Sequence, residues 1–190
     1  MKSLKEIYSK WMIDKDDGYG DKGTMHSYIE IYDMLLKPYR TGSNVLEIGV
    51  SYGISLEMWY EYFVDSKIFG MDITTQKIEP MLNDPRFHIQ IGDATKVEST
   101  NYYISNGIKF DVIIDDGSHM TYDQLTTYNI YKGLMKPGGI YIIEDIDNLD
   151  QVAHMFSGMD NTKHVEIYDL RPIKRRYDDA LIVITDKPKV

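Results

Sequence analysis

The chain has 190 residues, of which 43% are hydrophobic and 27% charged, a balance that fits one globular domain with a sizeable core and excludes a disordered chain. It contains no cysteine, which excludes a disulfide framework, a thiolate nucleophile and a cysteine-ligated zinc site. The formal net charge of -9 disfavours a duplex nucleic-acid partner on electrostatic grounds.

The chain shows no pattern of a membrane or secreted protein. No apolar run approaches the length that spans a bilayer, and the first residues lack the apolar core of a signal peptide. Neither repeats nor a low-complexity linker divide the sequence. We therefore expect one cytoplasmic domain over 1–190, without a membrane or nucleic-acid partner.

The N-terminal part of the chain predicts helices around a polar loop. Residues 2–12 have the pattern of a short amphipathic helix, and 14–23 form a polar, glycine-rich loop. Thr24 is a candidate cap of a second helix, which ends before Pro38 because proline cannot continue a helix.

Strand and helix signals alternate in the rest of the chain. Short runs of apolar and β-branched residues predict strands at 44–48, 67–72, 87–91, 110–115, 139–143, 164–170 and 180–185. Apolar residues at helical spacing predict helices over 55–63 and 121–134. Strands separated by helices imply parallel crossovers, and therefore a doubly wound α/β sheet. We expect this core to cover 41–190, after a helical or lid segment over 1–40.

Two of the predicted strands each end in a pair of acids. One strand runs into Asp115 and Asp116, and another into Glu144 and Asp145. Ligands of such sheets bind at the carboxyl ends of the strands, where four carboxylates repel each other unless a cation or a proton lies among them. His119 is a candidate proton acceptor beside that cation. The pattern suggests a metal-assisted site that deprotonates a substrate.

The first predicted strand leads into a glycine turn that differs from the dinucleotide fingerprint. Gly49, Ser51 and Gly53 belong to a Gly-x-x-x-Gly turn, whereas a pyrophosphate site needs Gly-x-Gly-x-x-Gly. Glu47 lies at the end of the strand, where an acid repels phosphates and suits an ammonium-bearing ligand. The alternative role for Glu47 is to cap the following helix.

Acids that follow other strands suggest the remainder of this ligand. Asp72 follows the second strand, where an acid typically accepts both ribose hydroxyls. Asp93 follows the third strand and could accept from an adenine amino group, although Gly-Asp turns are common. Asp115 either points back towards the cofactor or caps a backbone turn. A ligand with ribose, adenine and an amino acid moiety but no phosphate is S-adenosylmethionine (SAM), whose demethylated product is S-adenosylhomocysteine (SAH).

These motifs, in this order, resemble the class I SAM-dependent methyltransferases, and among them the macrocin and mycinamicin sugar O-methyltransferase branch. The shared motifs are Asp21-Lys-Gly, His26-x-Tyr28, Leu46-Glu-Ile-Gly-Val, Ser55-Leu-x-Met-Trp59, Ile114-Asp-Asp-Gly-Ser-His119, Ile143-Glu-Asp145 and Arg175-Arg-Tyr-Asp-Asp179. The resemblance implies a Rossmann-like, seven-stranded and mostly parallel sheet. Members of the branch are usually longer, with extra N-terminal structure that helps to build the acceptor pocket.

The resemblance also implies roles for the acids and the histidine. Mg²⁺ would be bound by Asp116, Glu144 and Asp145, and His119 would be the general base. The expected reaction is magnesium-dependent transfer of a methyl group from SAM to a hydroxyl of a sugar or glycosylated small molecule, as in natural product biosynthesis. His26 is the competing candidate for the base, because its loop would fold over the same edge of the sheet.

Other functions stay open at this point. A catechol-type O-methyltransferase would use the same metal chemistry on aromatic diols, and a cephalosporin-tailoring protein of the same fold is a further alternative. A non-catalytic SAM-binding module is the alternative from a different class, although it needs neither a base nor a metal. The basic run at 174–176 is either a solvated loop or a site for an acidic group on the acceptor. Because sugar methyltransferases of this branch often assemble, a homo-oligomer is also an open expectation.

Overall fold

The computed structural model describes residues 1–14, 20–74 and 83–186, in which helices flank one sheet of order β3-β2-β1-β4-β5-β7-β6. The strands are β1 (Asn44–Ile48), β2 (Lys67–Asp72), β3 (Phe87–Ile91), β4 (Phe110–Asp115), β5 (Met135–Ile143), β6 (Lys163–Asp169) and β7 (Ala180–Asp186). The α-helices of the described residues are α1 (Leu4–Asp14), α2 (Asp21–Thr24), α3 (Ile29–Leu36), α4 (Ile54–Tyr62), α5 (Asn101–Ser105), α6 (Thr121–Tyr131), α7 (Leu149–Met159) and α8 (Arg171–Lys174).

The sheet is mostly parallel. Strands β1 to β5 pair in parallel, and β7 lies antiparallel to both of its neighbours, β5 and β6. The predicted doubly wound, seven-stranded α/β sheet is therefore confirmed. The strand order reverses between β1 and β4, where Ile48 pairs with Asp115. The carboxyl ends of these two strands form the switch point at which ligands bind in such sheets.

The apolar core is divided between the two faces of the sheet. Val45 packs into one apolar cluster and Leu46 into the other, because successive side chains of a strand point to opposite faces. Residues of α1, α3 and α4 belong to the first cluster, and residues of α6 and α7 to the second. The first face also carries Glu47, which follows the same alternation as Val45.

The N-terminal segment differs from its sequence prediction. The sequence predicts one helix starting at Thr24, but α2 ends at Thr24 and α3 begins at Ile29. The Thr24 hydroxyl donates a hydrogen bond to the carbonyl oxygen of Gly20, within the α2 turn, so Thr24 does not cap α3. The predicted polar loop is helical from Asp21 onward, and residues 15–19 of that loop lie outside the described residues.

The described helices are short, and three of them, α5, α7 and α8, are not predicted from the sequence. The longest of them, α1, α6 and α7, have 11 residues each. None of the described helices has both the length and the apolar character that a membrane span requires.

Candidate active site

A cleft of about 220 Å³ opens at the switch point between β1 and β4. Its walls come from the loops that follow β1, β2, β3 and β4 and from the first half of α6. The predicted cofactor residues that line this cleft are Gly49, Asp72, Asp93 and Asp115. The other predicted cofactor residues, Glu47, Ser51 and Gly53, lie outside its lining.

Asp72 ties the turn after β1 to the end of β2. One carboxylate oxygen accepts a hydrogen bond from the backbone N–H of Ser51 at 2.7 Å, and the other accepts from the N–H of Thr74 at 2.9 Å. A carboxylate oxygen can accept more than one hydrogen bond, so both oxygens keep capacity for ribose hydroxyls. The backbone N–H of Ser51 thus orients Asp72.

Asp93 and Asp115 both have local backbone or side-chain partners. Asp93 Oδ1 accepts from the backbone N–H and the hydroxyl of Thr95, at 2.9 and 2.6 Å, and these bonds hold the pKa of Asp93 below its usual range. Asp115 is buried and accepts a hydrogen bond from the Tyr141 hydroxyl at 3.2 Å. Burial raises the pKa of Asp115 to about 7. Asp93 therefore closes its own turn, and Asp115 lies at the floor of the cleft.

The glycine turn after β1 is shaped by a close approach of two backbones. Gly49, Ser51 and Gly53 all have positive φ angles, of 86°, 49° and 77°. A Cβ at Gly49 would lie 1.8 Å from the carbonyl oxygen of Asp116, so no other residue fits there without moving the loop after β4. Gly53 is the N-cap residue of α4. The two glycines are thus required by the path of the chain.

Glu47 faces an ammonium group that belongs to the protein itself. It is fully buried, accepts a hydrogen bond from the Ser55 hydroxyl at 2.6 Å, and lies 3.4 Å from Nζ of Lys22. Burial raises the pKa of Glu47. The sequence predicts an ammonium-bearing ligand here, whereas the only sequence signal for Lys22 is its position in the Asp21-Lys-Gly motif.

Lys22 lies among three carboxylates. Its Nζ is 2.7 Å from Asp116 Oδ2 and 2.5 Å from Glu144 Oε1, in addition to its contact with Glu47. The Tyr32 hydroxyl also donates to Glu144 Oε1, at 2.5 Å. Burial opposes the charge of Lys22, but the carboxylates outweigh burial and raise the pKa of Lys22 well above its ordinary value. The ammonium therefore stays charged.

Asp145 is the neighbour of Glu144 and has different partners. Its Oδ1 accepts a hydrogen bond from the Tyr28 hydroxyl at 2.7 Å, and its Oδ2 lies 3.5 Å from Nδ1 of His119. Burial raises the pKa of Asp145.

His119 lies between two of the predicted metal ligands. Its Nε2 is 3.1 Å from Asp116 Oδ1, whereas its Nδ1 makes the longer contact with Asp145. The hydrogen bond with Asp116 raises the pKa of His119 to about 9. The side chain is 40% exposed, so an acceptor in the site can reach the ring.

The backbone is strained at His119 and at Asp145. His119 has a φ of 60° and Asp145 a φ of 54°, values that side chains with a Cβ rarely adopt. Each such residue costs about 1–3 kcal/mol and persists where the surroundings over-determine it, a condition typical of functional sites.

The residues fit a divalent cation. One group of close ligand atoms comprises Asp116, His119 and Asp145, and a second comprises Glu47, Asp116 and Glu144. Asp116 belongs to both groups, so the predicted ligands Glu144 and Asp145 each lie near Asp116, but no such group of the described residues holds all three. Burial raises the pKa of Glu144 and of Asp145, because it disfavours their charged forms. Carboxylate oxygens are the donors that Mg²⁺ prefers.

His26 is close to this site but closed to an acceptor. Its side chain is 1% exposed and stacks on Tyr28 at a ring-centroid distance of 4.7 Å. Its Nδ1 lies 3.3 Å from Asp145 Oδ1 and 3.8 Å from Asp179 Oδ1. His119 is therefore the more accessible of the two candidate bases.

The basic run at 174–176 makes contacts within the protein. Lys174 donates hydrogen bonds to the carbonyl oxygens of Gly23 and Thr24, at 2.5 and 3.1 Å, and to that of His26. Arg176 pairs with Asp178 at 2.6 Å. Lys174 thus fastens the segment that carries Lys22 to the connection between β6 and β7.

A protein family described as a methyltransferase domain matches residues 40–177, which is more than half of the chain. Among curated proteins, the chain is 31% identical over 134 residues to the 8-demethyl-8-alpha-L-rhamnosyl tetracenomycin-C 2'-O-methyltransferase of Streptomyces olivaceus, covering 66% of this chain and 35% of that protein. It is 32% identical over 151 residues to the mycinamicin VI 2''-O-methyltransferase of Micromonospora griseorubida, covering 75% and 36%. The chain thus spans about a third of the length of these relatives.

Solved structures show the same fold. The MycE methyltransferase of the mycinamycin biosynthetic pathway, in complex with Mg and SAH, aligns with a TM-score of 0.71 at 23% identity, over 97% of this chain and 55% of that one. The O-methyltransferase from Bacillus cereus, in complex with SAH, aligns with a TM-score of 0.65 at 15% identity, over 97% and 90%. The sheet order, the cleft at the switch point and the family match agree: the chain belongs to the methyltransferase-domain family.

Proposed function

We propose that the chain catalyses magnesium-dependent transfer of a methyl group from SAM to a hydroxyl of a sugar or glycosylated small molecule. The observation that carries this proposal is the convergence of Asp116, His119 and Asp145 next to the cleft at the switch point. Curated relatives named as sugar O-methyltransferases support a sugar acceptor. Fold neighbours in complex with SAH support the cofactor.

The cleft would hold SAM between the ends of β1 and β4. Asp72 is the proposed acceptor for the ribose hydroxyls, and Asp93 would use Oδ2 for the adenine amino group, because Oδ1 serves Thr95. Asp115 and Gly49 would contact the ligand from the floor of the cleft. Glu47, Ser51 and Gly53 would act through the turn that places these groups.

Asp116, Glu144 and Asp145 are the proposed Mg²⁺ ligands. These three carboxylates would hold the ion, while Lys22 contacts Asp116 Oδ2 and Glu144 Oε1, and Tyr28 contacts Asp145 Oδ1. Bound Mg²⁺ would lower the pKa of an acceptor hydroxyl, which is otherwise protonated and a poor nucleophile near pH 7.

His119 is the proposed general base. With its Nε2 proton directed to Asp116, Nδ1 is the atom that receives the acceptor's proton. A raised pKa keeps the ring protonated near neutral pH, whereas a cation at Asp116 and Asp145 favours the neutral ring that a base requires. The methyl group of SAM is already an activated electrophile, so alignment and deprotonation are what the protein must add.

We propose that 1–190 fold as one methyltransferase domain in which residues 1–40 cover the site. Leu4 and Tyr32 pack in the same apolar cluster as Val45 of β1, which supports a single domain. Lys22 and Tyr28 reach the carboxylates of the core, which supports a covering role for this segment.

The proposal is tested by measuring SAH formation by mass spectrometry with SAM, a panel of rhamnosylated and other glycosides, and catechol, in Mg²⁺ or in EDTA. We expect SAH with a glycoside in Mg²⁺ and none in EDTA. Turnover of catechol alone would replace the sugar acceptor by an aromatic diol. SAM binding without turnover of any acceptor would favour the non-catalytic module.

A further inference from the structure

Lys22 occupies a position that a metal ion would otherwise suit. One oxygen of each of Glu47, Asp116 and Glu144 surrounds its Nζ, at 3.4, 2.7 and 2.5 Å. These are the same three residues whose ligand atoms lie within 4.8 Å of one another. We call them the inner carboxylates. Since an ammonium group and a divalent cation cannot share one position, the position between these three oxygens is closed to a metal ion while Lys22 is there.

The outer group comprises Asp116, His119 and Asp145, of which Asp145 is 4% exposed and the other two lie closer to solvent. The side chains of Asp116 and His119 are 17% and 40% exposed, whereas those of Glu47 and Lys22 are 0% and 5% exposed. Asp116 belongs to both groups and has one oxygen in each, with Oδ2 at Lys22 and Oδ1 at His119. A carboxylate shared in this way is the usual bridge of a two-metal site, whose ions lie about 3.5–4 Å apart.

We propose that Lys22 is a positioning residue that takes the place of a second metal ion, so that the site accepts a single divalent cation on its outer side. This inference rests on the proposed magnesium site. Lys22 fixes Oδ2 of Asp116 and thereby holds Oδ1 of the same carboxylate at the outer position beside His119. Glu47 then helps to neutralise the ammonium of Lys22 with one carboxylate oxygen, while its other oxygen accepts the hydrogen bond from the Ser55 hydroxyl.

Lys22 is not a flexible surface side chain, because the fold fixes its position. The residue is 4% exposed and lies in α2, which Lys174 fastens through the carbonyl oxygens of Gly23 and Thr24. Burying an ammonium group is costly unless charged partners surround it. Three carboxylate partners satisfy that condition, and removing the ammonium leaves them without their shared counter-charge.

The test is the number of Mn²⁺ ions bound per chain, measured by calorimetry and by electron paramagnetic resonance (EPR). We expect one ion in the unmodified protein, with the spectrum of an isolated Mn²⁺. In Lys22→Met and Lys22→Gln we expect two ions per chain and the spectrum of a spin-coupled pair, because a second ion enters the inner carboxylates. Lys22→Gln keeps hydrogen-bond donors, so it preserves the fold if Lys22→Met does not. Lys5→Met, at an exposed ion pair with Glu30, is the control and should bind one ion.

Different outcomes separate this inference from the proposed function. One ion per chain in the unmodified protein and in both Lys22 variants, with tighter binding in the variants, would overturn the inference, because Lys22 would then compete for a single position. Two ions in the unmodified protein would also overturn it. No Mn²⁺ binding to the unmodified protein would instead overturn the proposed magnesium site, and the inference with it.

Discussion

Gly49 lies directly against the backbone of Asp116: a Cβ added at Gly49 would be 1.8 Å from the Asp116 carbonyl oxygen. The turn after β1 therefore determines the position of the loop that carries the proposed metal ligand and base. The hydrogen bond from the Asp116 N–H to the Ile48 carbonyl, at 2.8 Å, joins the same two segments.

Gly49→Ala should destabilise the protein and lower its divalent-cation affinity, because the loop after β4 must move to accept the methyl group. Gly138→Ala is the matched control, since Gly138 also has a positive φ, of 76°, but no atom within 4 Å of an added Cβ. We expect Gly138→Ala to cost about 1–2 kcal/mol from backbone strain. Gly49→Ala should cost about 1–3 kcal/mol more from overpacking. Urea unfolding measures the free energy of unfolding of both variants, and equal losses of stability would contradict the steric argument.

Asp72→Ala should weaken SAH binding by about 10- to 100-fold, the effect of losing roughly 1–3 kcal/mol of hydrogen bonding. Part of this loss comes from the Ser51 turn, which Asp72 also orients. Calorimetry without metal measures the affinity, and Asp150→Ala, at a side chain that is 88% exposed, is the control. Unchanged SAH affinity in Asp72→Ala would remove Asp72 from the cofactor site.

Asp116→Asn, Glu144→Gln and Asp145→Asn should each lose magnesium-dependent turnover while SAH affinity stays nearly unchanged. The reason is that these acids lie at the ends of β4 and β5, apart from the ribose site at the end of β2. Turnover is measured against Mg²⁺ concentration, and SAH binding by calorimetry. Full activity in excess chelator would show that these acids are not metal ligands and have only a structural role.

His119→Ala should lower turnover by about 10²–10⁴-fold, the usual contribution of a general base, with SAH binding intact. The variant should also lose the rise of rate with pH that accompanies deprotonation of the imidazole. His26→Gln, at the buried histidine, is the comparison. Near-normal turnover in His119→Ala together with inactive His26→Gln would transfer the role of base to His26.

The metal-free protein should lose stability at alkaline pH through His119. The hydrogen bond with Asp116 raises the pKa of His119 from 6.5 to about 9. A raised pKa in the folded state stabilises the protein fully below the unfolded value of 6.5, and the contribution disappears as pH rises through about 9. Relative to His119→Gln, the free energy of unfolding in chelator should therefore fall across this window. Parallel pH profiles of the two proteins would contradict the assignment.

The strands were the most predictable part of the fold. The predicted bounds of β1, β2, β3 and β4 coincide with those observed, because buried parallel strands are continuous apolar runs. β5 begins earlier than predicted, at Met135, which pairs with Phe110 before the register shifts. Helix α7 was missed although Leu149, Val152 and Phe156 have helical spacing and are buried.

The site could be predicted only where its residues are near in sequence. Asp116 and His119 share one loop, and the hydrogen bond between them raises the pKa of His119 to about 9. Lys22 is 94 residues from Asp116 and 122 from Glu144, so local sequence spacing cannot predict that Lys22 contacts these two acids. The same limit applies to Glu47, which lies 3.4 Å from Nζ of Lys22 although the two residues are far apart in the chain. Long-range pairing of this kind is decided by the topology of the sheet.

The contacts of Lys174 with Gly23 and Thr24 also bear on how the protein is made. They join residues that are 151 and 150 positions apart in the chain, and the Ser27 hydroxyl reaches Asp179 across 152 positions. During synthesis the segment with Lys22 leaves the ribosome long before the residues that fasten it, since chains are extended at about 5–20 residues per second. The strands of the sheet can begin to pair while the carboxylates are still open to water. Nascent chains that stop before Lys174 therefore lack the contacts that fasten the segment with Lys22 over the carboxylates.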